Sequence, residues 1–336
     1  MWIELQDIHK HYGPVKANNG VNLKVAPERI HGILGENGAG KSTMMKVLAG
    51  FSQKTSGSIL IDSKPVNYRN PAQAVALGIG MLYQDPLDFS HLSVLDNFML
   101  GQTNGFSGHK NKFRKAFHQL AESFNFGLHP DTPIKILTIG ERQQLELLRL
   151  LALGVQILIL DEPTTGISAT QKDILFKSLK KLTIEGKSVV LVSHKLEDVE
   201  ALCDEVTVLR QGKVTGDMDQ PFDTNQLLEM MFGTPPPLPV RCMETPGSEI
   251  LMMKGISGSG GRTGLKDCDI VVRQSEVVGL AGLEGSGQGV FLRIASGLKQ
   301  PTKGIIQLSG RNMKNRDHHA FIRHGVTFMP ASRLEE

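Results

Sequence analysis

Short apolar runs set the rhythm of this chain. Arg29 to Leu34, Ile79 to Tyr83, Ile157 to Leu160, Ser188 to Val192 and residues 205–210 are each four to six residues long. Runs of this kind belong to strands covered on both faces. Between them lie segments with helical character: Met44 to Ala49, residues 71–77 opened by Pro71, and about 170–184. Strand alternating with helix predicts a mainly parallel sheet. Residues 2–8, 21–25 and 58–62 read as further strands, with turn signals at Gly13-Pro14 and Asn18-Asn19-Gly20. From about 90 to 155 strand signals vanish and helical periodicity takes over. This reads as a helical insertion, whose last helix opens in Leu137–Leu145 and runs to about Leu153.

After Gly233-Thr234-Pro235-Pro236-Pro237-Leu238-Pro239, a stiff proline-rich linker, the pattern starts again. Gly279–Gly287 lines up with Gly32–Gly40, an interval of 247 positions, and the same interval pairs Gly50 with Gly297, Gly57 with Gly304 and Gly78 with Gly325. A gapless interval over so many glycines predicts tandem copies of one fold. The expected domains are 1–232, with the helical part at about 90–155, a linker at 233–248, and a partial second copy at 249–336. That second copy reaches only the equivalent of Phe89, so the chain is expected to be the N-terminal portion of a longer one.

Composition adds limits. Of 336 residues 40% are hydrophobic and 21% charged, with a net charge of +3, which by itself argues for neither nucleic acid nor a membrane surface. Cys203, Cys242 and Cys268 are far apart and form no metal or redox motif. No apolar run has the length of a membrane span, and the start lacks a signal-peptide pattern, so a membrane role must come through a partner.

The chemistry concentrates at strand ends. Gly35-Glu36-Asn37-Gly38-Ala39-Gly40-Lys41-Ser42-Thr43 reads G-x-x-x-x-G-K-S between a strand and a helix, a phosphate-binding loop. Its glycines let backbone N–H groups converge on an anion, and the helix N-terminus adds positive potential. Lys41 can reach phosphates and Ser42 can ligate Mg²⁺. The run Ile157–Leu160 delivers Asp161 and Glu162; the first suits a metal, the second can polarise an attacking water. Gln84 and His194 also sit at strand ends, where such sheets bind ligands. In the second copy Lys41 becomes Gln288, Ser42 becomes Gly289, Gln84 becomes Ala331 and Tyr12 becomes Ser259. The backbone cradle is kept there and the cation is lost. The basic run His109–Lys115 reads as a solvated helix face, and His318-His319 as solvated too.

Together these motifs resemble the nucleotide-binding subunits of ABC transporters, and the tandem arrangement resembles importers of simple sugars and nucleosides. The resemblance implies a P-loop NTPase fold: an α/β domain with a mainly parallel core sheet, an antiparallel β part and a helical subdomain, followed by a partial copy. It implies ATP and Mg²⁺ as ligands. Gly35, Asn37, Gly38, Ala39, Gly40, Lys41, Ser42 and Thr43 match its Walker A loop, and Asp161 and Glu162 its Walker B with the catalytic acid. Gln84 matches the Q-loop glutamine, which also reaches the metal beside Ser42 and Asp161. His194 matches the switch histidine, and Gly166–Ala169 the D-loop. Tyr12 matches the aromatic that stacks on adenine. Leu137-Thr138-Ile139-Gly140-Glu141 matches the signature segment L-S-G-G-Q, keeping a hydroxyl at Thr138 and a glycine at Gly140. Glu141 there places a negative charge where a γ-phosphate contact is expected.

The expected protein is therefore an ATPase with Glu162, His194 and Lys41 as catalytic residues. It sits peripherally on the cytoplasmic face of the membrane. Its partners are transmembrane permease subunits, indirectly a solute-binding protein, and a second ABC domain that completes the ATP site; no nucleic acid is expected. Because the second copy ends before any signature of its own, the 336 residues are expected to bind ATP and turn it over slowly. Two other readings stand beside this one. A soluble ABC-type ATPase of ribosomes or DNA is disfavoured by the lack of a long charged coiled coil. A non-hydrolysing scaffold fits only the second copy.

Overall fold

The apolar runs become the centre of the first of two units, Met1–Pro237 and Leu238–Glu336. The structure is a computed structural model and describes residues 1–83, 87–102, 110–233, 245–260, 263–282 and 286–330. The first unit begins with β1 (Ile3–Tyr12), β2 (Val15–Val25), β3 (Ile30–Leu34), α1 (Lys41–Leu48), β4 (Ser56–Ile61), β5 (Lys64–Val66), α2 (Pro71–Ala76) and β6 (Ile79–Leu82). The helical part holds α3 (Val94–Met99), α4 (Lys110–Ser123) and α5 (Ile139–Ala152). Then come β7 (Ile157–Asp161), α6 (Ala169–Ile184), β8 (Ser188–Val192), α7 (Leu196–Leu202), β9 (Glu205–Arg210), β10 (Lys213–Asp219) and α8 (Thr224–Phe232).

Six strands form the central sheet in the order β10-β9-β3-β8-β7-β6. Its first five members from β9 onward are parallel and β10 is antiparallel. The alternation of side chains explains why the runs are apolar throughout. Ile157, Ile159, Val190 and Val192 join one core, whereas Leu158, Leu160, Val189 and Leu191 join the other. The first core is shared with α1 and with an antiparallel sheet in the order β2-β1-β4-β5. The second is shared with the helical part, where Phe98 and Phe117 meet edge to face with ring centres 5.3 Å apart.

The turn expected at Asn18-Asn19-Gly20 is a correction: β2 runs straight through it. Irregular registers with β1 on either side absorb the polar residues, and Asn18 is fully buried because its amide holds a neighbouring loop. The reversal at Gly13-Pro14 occurs as expected, between β1 and β2.

The second unit contains β11 (Glu249–Gly258), β12 (Leu265–Arg273), α9 (Gln288–Ala295), β13 (Lys303–Leu308), β14 (Arg311–Asn312) and α10 (His318–Arg323). Its sheet order β12-β11-β13-β14 matches β2-β1-β4-β5 in sequence and sense. Left-handed backbone recurs at the 247-residue interval: Gly20 and Asp267, Glu28 and Ser275, Gly40 and Gly287, Gly50 and Gly297, Asp62 and Ser309, Gly78 and Gly325. Among the described residues 277–282, where β3 has its counterpart, no strand forms, and Val277 is 95% exposed.

Candidate functional site

β3 drives into the loop at Gly35 and α1 leaves it at Lys41, so the loop is pinned by two buried elements. Two of its glycines leave no room for a side chain: at Gly35 a Cβ would lie 2.2 Å from the Leu209 carbonyl oxygen. At Gly40, with φ of 101°, a Cβ would lie 2.2 Å from the Ala17 carbonyl oxygen and 2.8 Å from the Asn18 amide nitrogen. Asn18 Nδ2 donates to the Gly40 carbonyl at 3.1 Å, and the Gly212 N–H donates to the Ala39 carbonyl at 3.0 Å. Asn18 is thus a loop-holding residue that sequence reading took for a turn. Lys41 Nζ lies over the loop and donates to the carbonyls of Gly35 at 2.6 Å and Glu36 at 3.0 Å. Burial pushes the Lys41 ammonium below its ordinary pKa, while the charges of Glu162, Asp161 and Glu36 pull it back up. A cleft of about 450 Å³ opens here, lined by the loop together with Lys16, Glu162 and Gln211.

β7 delivers the carboxylates as its sequence predicts. Ser42 Oγ donates to Asp161 Oδ1 at 3.1 Å. Burial pushes the Asp161 carboxyl up; the Ser42 bond opposes this and the Glu162 charge adds to it. A hydroxyl and a buried carboxylate side by side are a donor set that fits Mg²⁺. Glu162 turns away from the strand with φ of 52°, and its N–H donates to the Val192 carbonyl. Its side chain therefore faces β8's end, where its Oε1 lies 2.8 Å from His194 Nδ1. The second oxygen, Oε2, is buried without a hydrogen-bond partner among the described residues. That leaves one carboxylate acceptor unused at a residue that lines the cleft.

The remaining expected residues fall in different places. Tyr12 ends β1, half exposed, with Lys10 Nζ 4.7 Å above its ring and its hydroxyl 3.5 Å from Ser52 Oγ. Gln84 lies outside the described residues. Thr138 is the N-cap of α5, and Glu141 closes a capping box with it. Glu141 Oε2 accepts from the Thr138 N–H at 2.7 Å and from its hydroxyl at 2.8 Å. The carboxylate expected to face a γ-phosphate is thus turned onto its own helix end, because uncapped N–H groups there attract it. His318 Nδ1 meets the Ser296 carbonyl at 2.7 Å, so this ring is bonded rather than solvated.

One cluster carried no sequence signal. Tyr83, Asp88, Arg142 and Glu146, between the end of β6 and α5, each have a buried polar atom without a hydrogen-bond partner among the described residues. Each residue type alone is ordinary; only the fold brings them together.

The ABC transporter family profile matches residues 18–165 and 265–335, two stretches that begin 247 positions apart. The chain is 33% identical to a glucose import ATP-binding protein of Haloferax volcanii, over 99% of this chain and 66% of that one. It is also 33% identical to a nucleoside import ATP-binding protein of Lactococcus lactis subsp. cremoris, over 98% of this chain and 67% of that one. It therefore spans about two thirds of the length of these relatives. Among solved structures, a nucleotide-free ATP-binding cassette from an ABC transporter superposes with a TM-score of 0.61 at 22% identity, covering 68% of this chain and 96% of its own, a likeness of fold. By the family profile and these relatives, the chain belongs to the ABC transporter family of ATP-binding proteins.

Proposed function

We propose that this chain binds and hydrolyses ATP to power import of a simple sugar or nucleoside. The relatives' roles in glucose and nucleoside import support the solute class. The observation that carries the reading is the convergence at the ends of β3, β7 and β8: Lys41 over the loop, Ser42 on Asp161, and His194 on Glu162.

The chemistry follows from that geometry. Backbone N–H groups of the loop and the start of α1 hold the phosphates. Lys41 exchanges its two carbonyl bonds for the β- and γ-phosphate oxygens. Ser42 and Asp161 are the residues that would hold Mg²⁺, which neutralises phosphate charge when bound. Glu162 Oε2 accepts a proton from the attacking water, while His194 fixes the carboxylate through Oε1 and faces the transferred phosphoryl group. Tyr12 offers its exposed ring to the base, and Gln84, which lies outside the described residues, would be a further ligand to Mg²⁺ by the resemblance alone.

The partners follow from the reading. Permease subunits receive the motion, a solute-binding protein selects the cargo, and the signature segment of a second cassette completes the Lys41 site. No helix among the described residues is long and apolar enough to cross a membrane, which suits a peripheral role. The unit from Leu238 is read as a partial copy with a cradle lacking its cation, in line with the matching sheet order and left-handed positions.

The test is direct. The purified chain should bind a fluorescent ATP analogue in the presence of Mg²⁺ and lose it in Lys41→Ala. It should co-purify with membrane subunits encoded beside it. Co-purification with ribosomes or DNA instead would overturn the transport reading.

A further inference from the structure

Gln171 stands where three motifs meet. It lies in the first turn of α6, whose N-cap is Ser168. Its Oε1 accepts from the Ser168 N–H at 3.3 Å, closing a capping box. Its Nε2 donates to Thr138 Oγ1 at 2.8 Å. Gly140 lies flat against the same carboxamide, where a Cβ would sit 2.6 Å from Gln171 Cδ. Ile139 in turn covers Gly166, with its Cδ1 3.3 Å from where a Cβ would be.

The neighbouring residue points elsewhere. Lys172 forms an ion pair with the buried Asp198 of α7. Asp198 Oδ2 accepts from Thr164 Oγ1 at 2.5 Å, and Lys195 Nζ donates to the Thr164 carbonyl at 3.4 Å and hydroxyl at 3.3 Å. Thr164 follows Glu162 by two positions and Lys195 follows His194 directly. One helical turn therefore bonds Thr138 on one side and, on the other, Asp198, which links it to the loops carrying Glu162 and His194.

We propose that Gln171 is a positioning residue that orients Thr138 and Gly140 and, through Lys172, ties their segment to the Glu162–His194 site of the same unit. The inference rests on nucleotide binding at Lys41 as proposed above. Gln171 does not line the phosphate cleft, so it acts through its neighbours. A glutamine is required by the hydrogen count. Thr138 Oγ1 gives its single hydrogen to Glu141 Oε2, so a third group at that oxygen must be a donor. Gln171→Glu keeps the length and the acceptor for Ser168 but brings a second acceptor to that hydroxyl.

Hydrogen–deuterium exchange of the full chain, with and without Mg-ATP, reads this coupling. In the wild type, Mg-ATP slows exchange in 35–45 and in 137–144. In Q171E, exchange of 139–142 without nucleotide rises about tenfold, and Mg-ATP still slows 35–45 but no longer 137–144. A cap that only holds α5 would raise the basal exchange and leave the response to Mg-ATP intact; that outcome, or a wild type in which 35–45 alone responds, overturns the proposal. A wild type in which 35–45 does not respond overturns the nucleotide reading instead. Should thermal unfolding show Q171E to be misfolded, Gln171→Met keeps the length without either amide group and carries the same expectation.

Discussion

Replacing Glu146 by glutamine should leave stability nearly unchanged at about pH 5 and raise it at about pH 8.5. Glu146 lies in α5, 4% exposed, with Oε1 bonded to Arg149 at 2.9 Å and Oε2 buried without a partner. Burial raises its pKa from the ordinary 4.5 to about 7; Arg149 and a backbone bond from Leu87 oppose this, and the Asp88 charge adds to it. The folded chain therefore holds this proton more tightly than the unfolded chain. Stability contributed by the protonated form is complete below 4.5 and is lost as the pH rises through about 7. At about 1.4 kcal/mol per pH unit, that interval is worth about 3 kcal/mol. A glutamine mimics the protonated carboxyl and cannot lose it. Urea unfolding at several pH values checks this, followed by Trp2, the single tryptophan, which lies in the same unit. The two proteins should agree at the acid end, and the variant's midpoint should exceed the wild type's at the alkaline end. Parallel curves across the whole range would refute the reasoning, since they would mean that the carboxyl is already ionised at acid pH.

Other perturbations separate shape from chemistry. Gly40→Ala should abolish ATP binding and cost about 2–4 kcal/mol in thermal unfolding, because its Cβ meets backbone at 2.2 Å. Gly38→Ala, where nothing lies within 4 Å, should cost only the left-handed strain, about 1 kcal/mol. Glu162→Gln should keep ATP affinity while phosphate release falls about 100- to 1,000-fold; an unchanged rate would remove Glu162 as the base. Phe98→Ala should destabilise the first unit by about 3–5 kcal/mol by opening a cavity against Phe117, read by urea unfolding.

The legible parts of this molecule were those encoded locally. The phosphate loop, Asp161 and Glu162, and the buried strands before them follow from spacing and from branched apolar runs, because a strand covered on both faces tolerates little else. β10 and α8 were missed: β10 alternates exposed and half-buried positions at a sheet edge, and α8 is short with few buried residues. α7 was missed because its buried face consists of only Asp198, Val199 and Leu202. The order β10-β9-β3-β8-β7-β6 could not be read, since partner choice depends on crossovers between distant segments. The same holds for side-chain networks. Asn18 looked like a turn until β2 carried it against Gly40, and Glu141 looked like a charge in the wrong place until its helix end came into view. The bond from Gln171 to Thr138 gave no signal, because that partner comes from another helix, whereas its capping box with Ser168 is local.

The recurrence of left-handed backbone at a fixed interval has an evolutionary consequence. Gly40 and Gly287 share nearly identical dihedral angles, 101° and 2° against 99° and 2°, although the residue after each is Lys41 in one case and Gln288 in the other. Curvature in such a loop is enforced by the carbonyls pressed against it, Ala17 in one case and Gly264 in the other. Charge is enforced only by the ligand. The two traits can therefore drift apart: a lineage can discard catalysis at one loop through a single lysine codon while every glycine stays under the purifying pressure of folding.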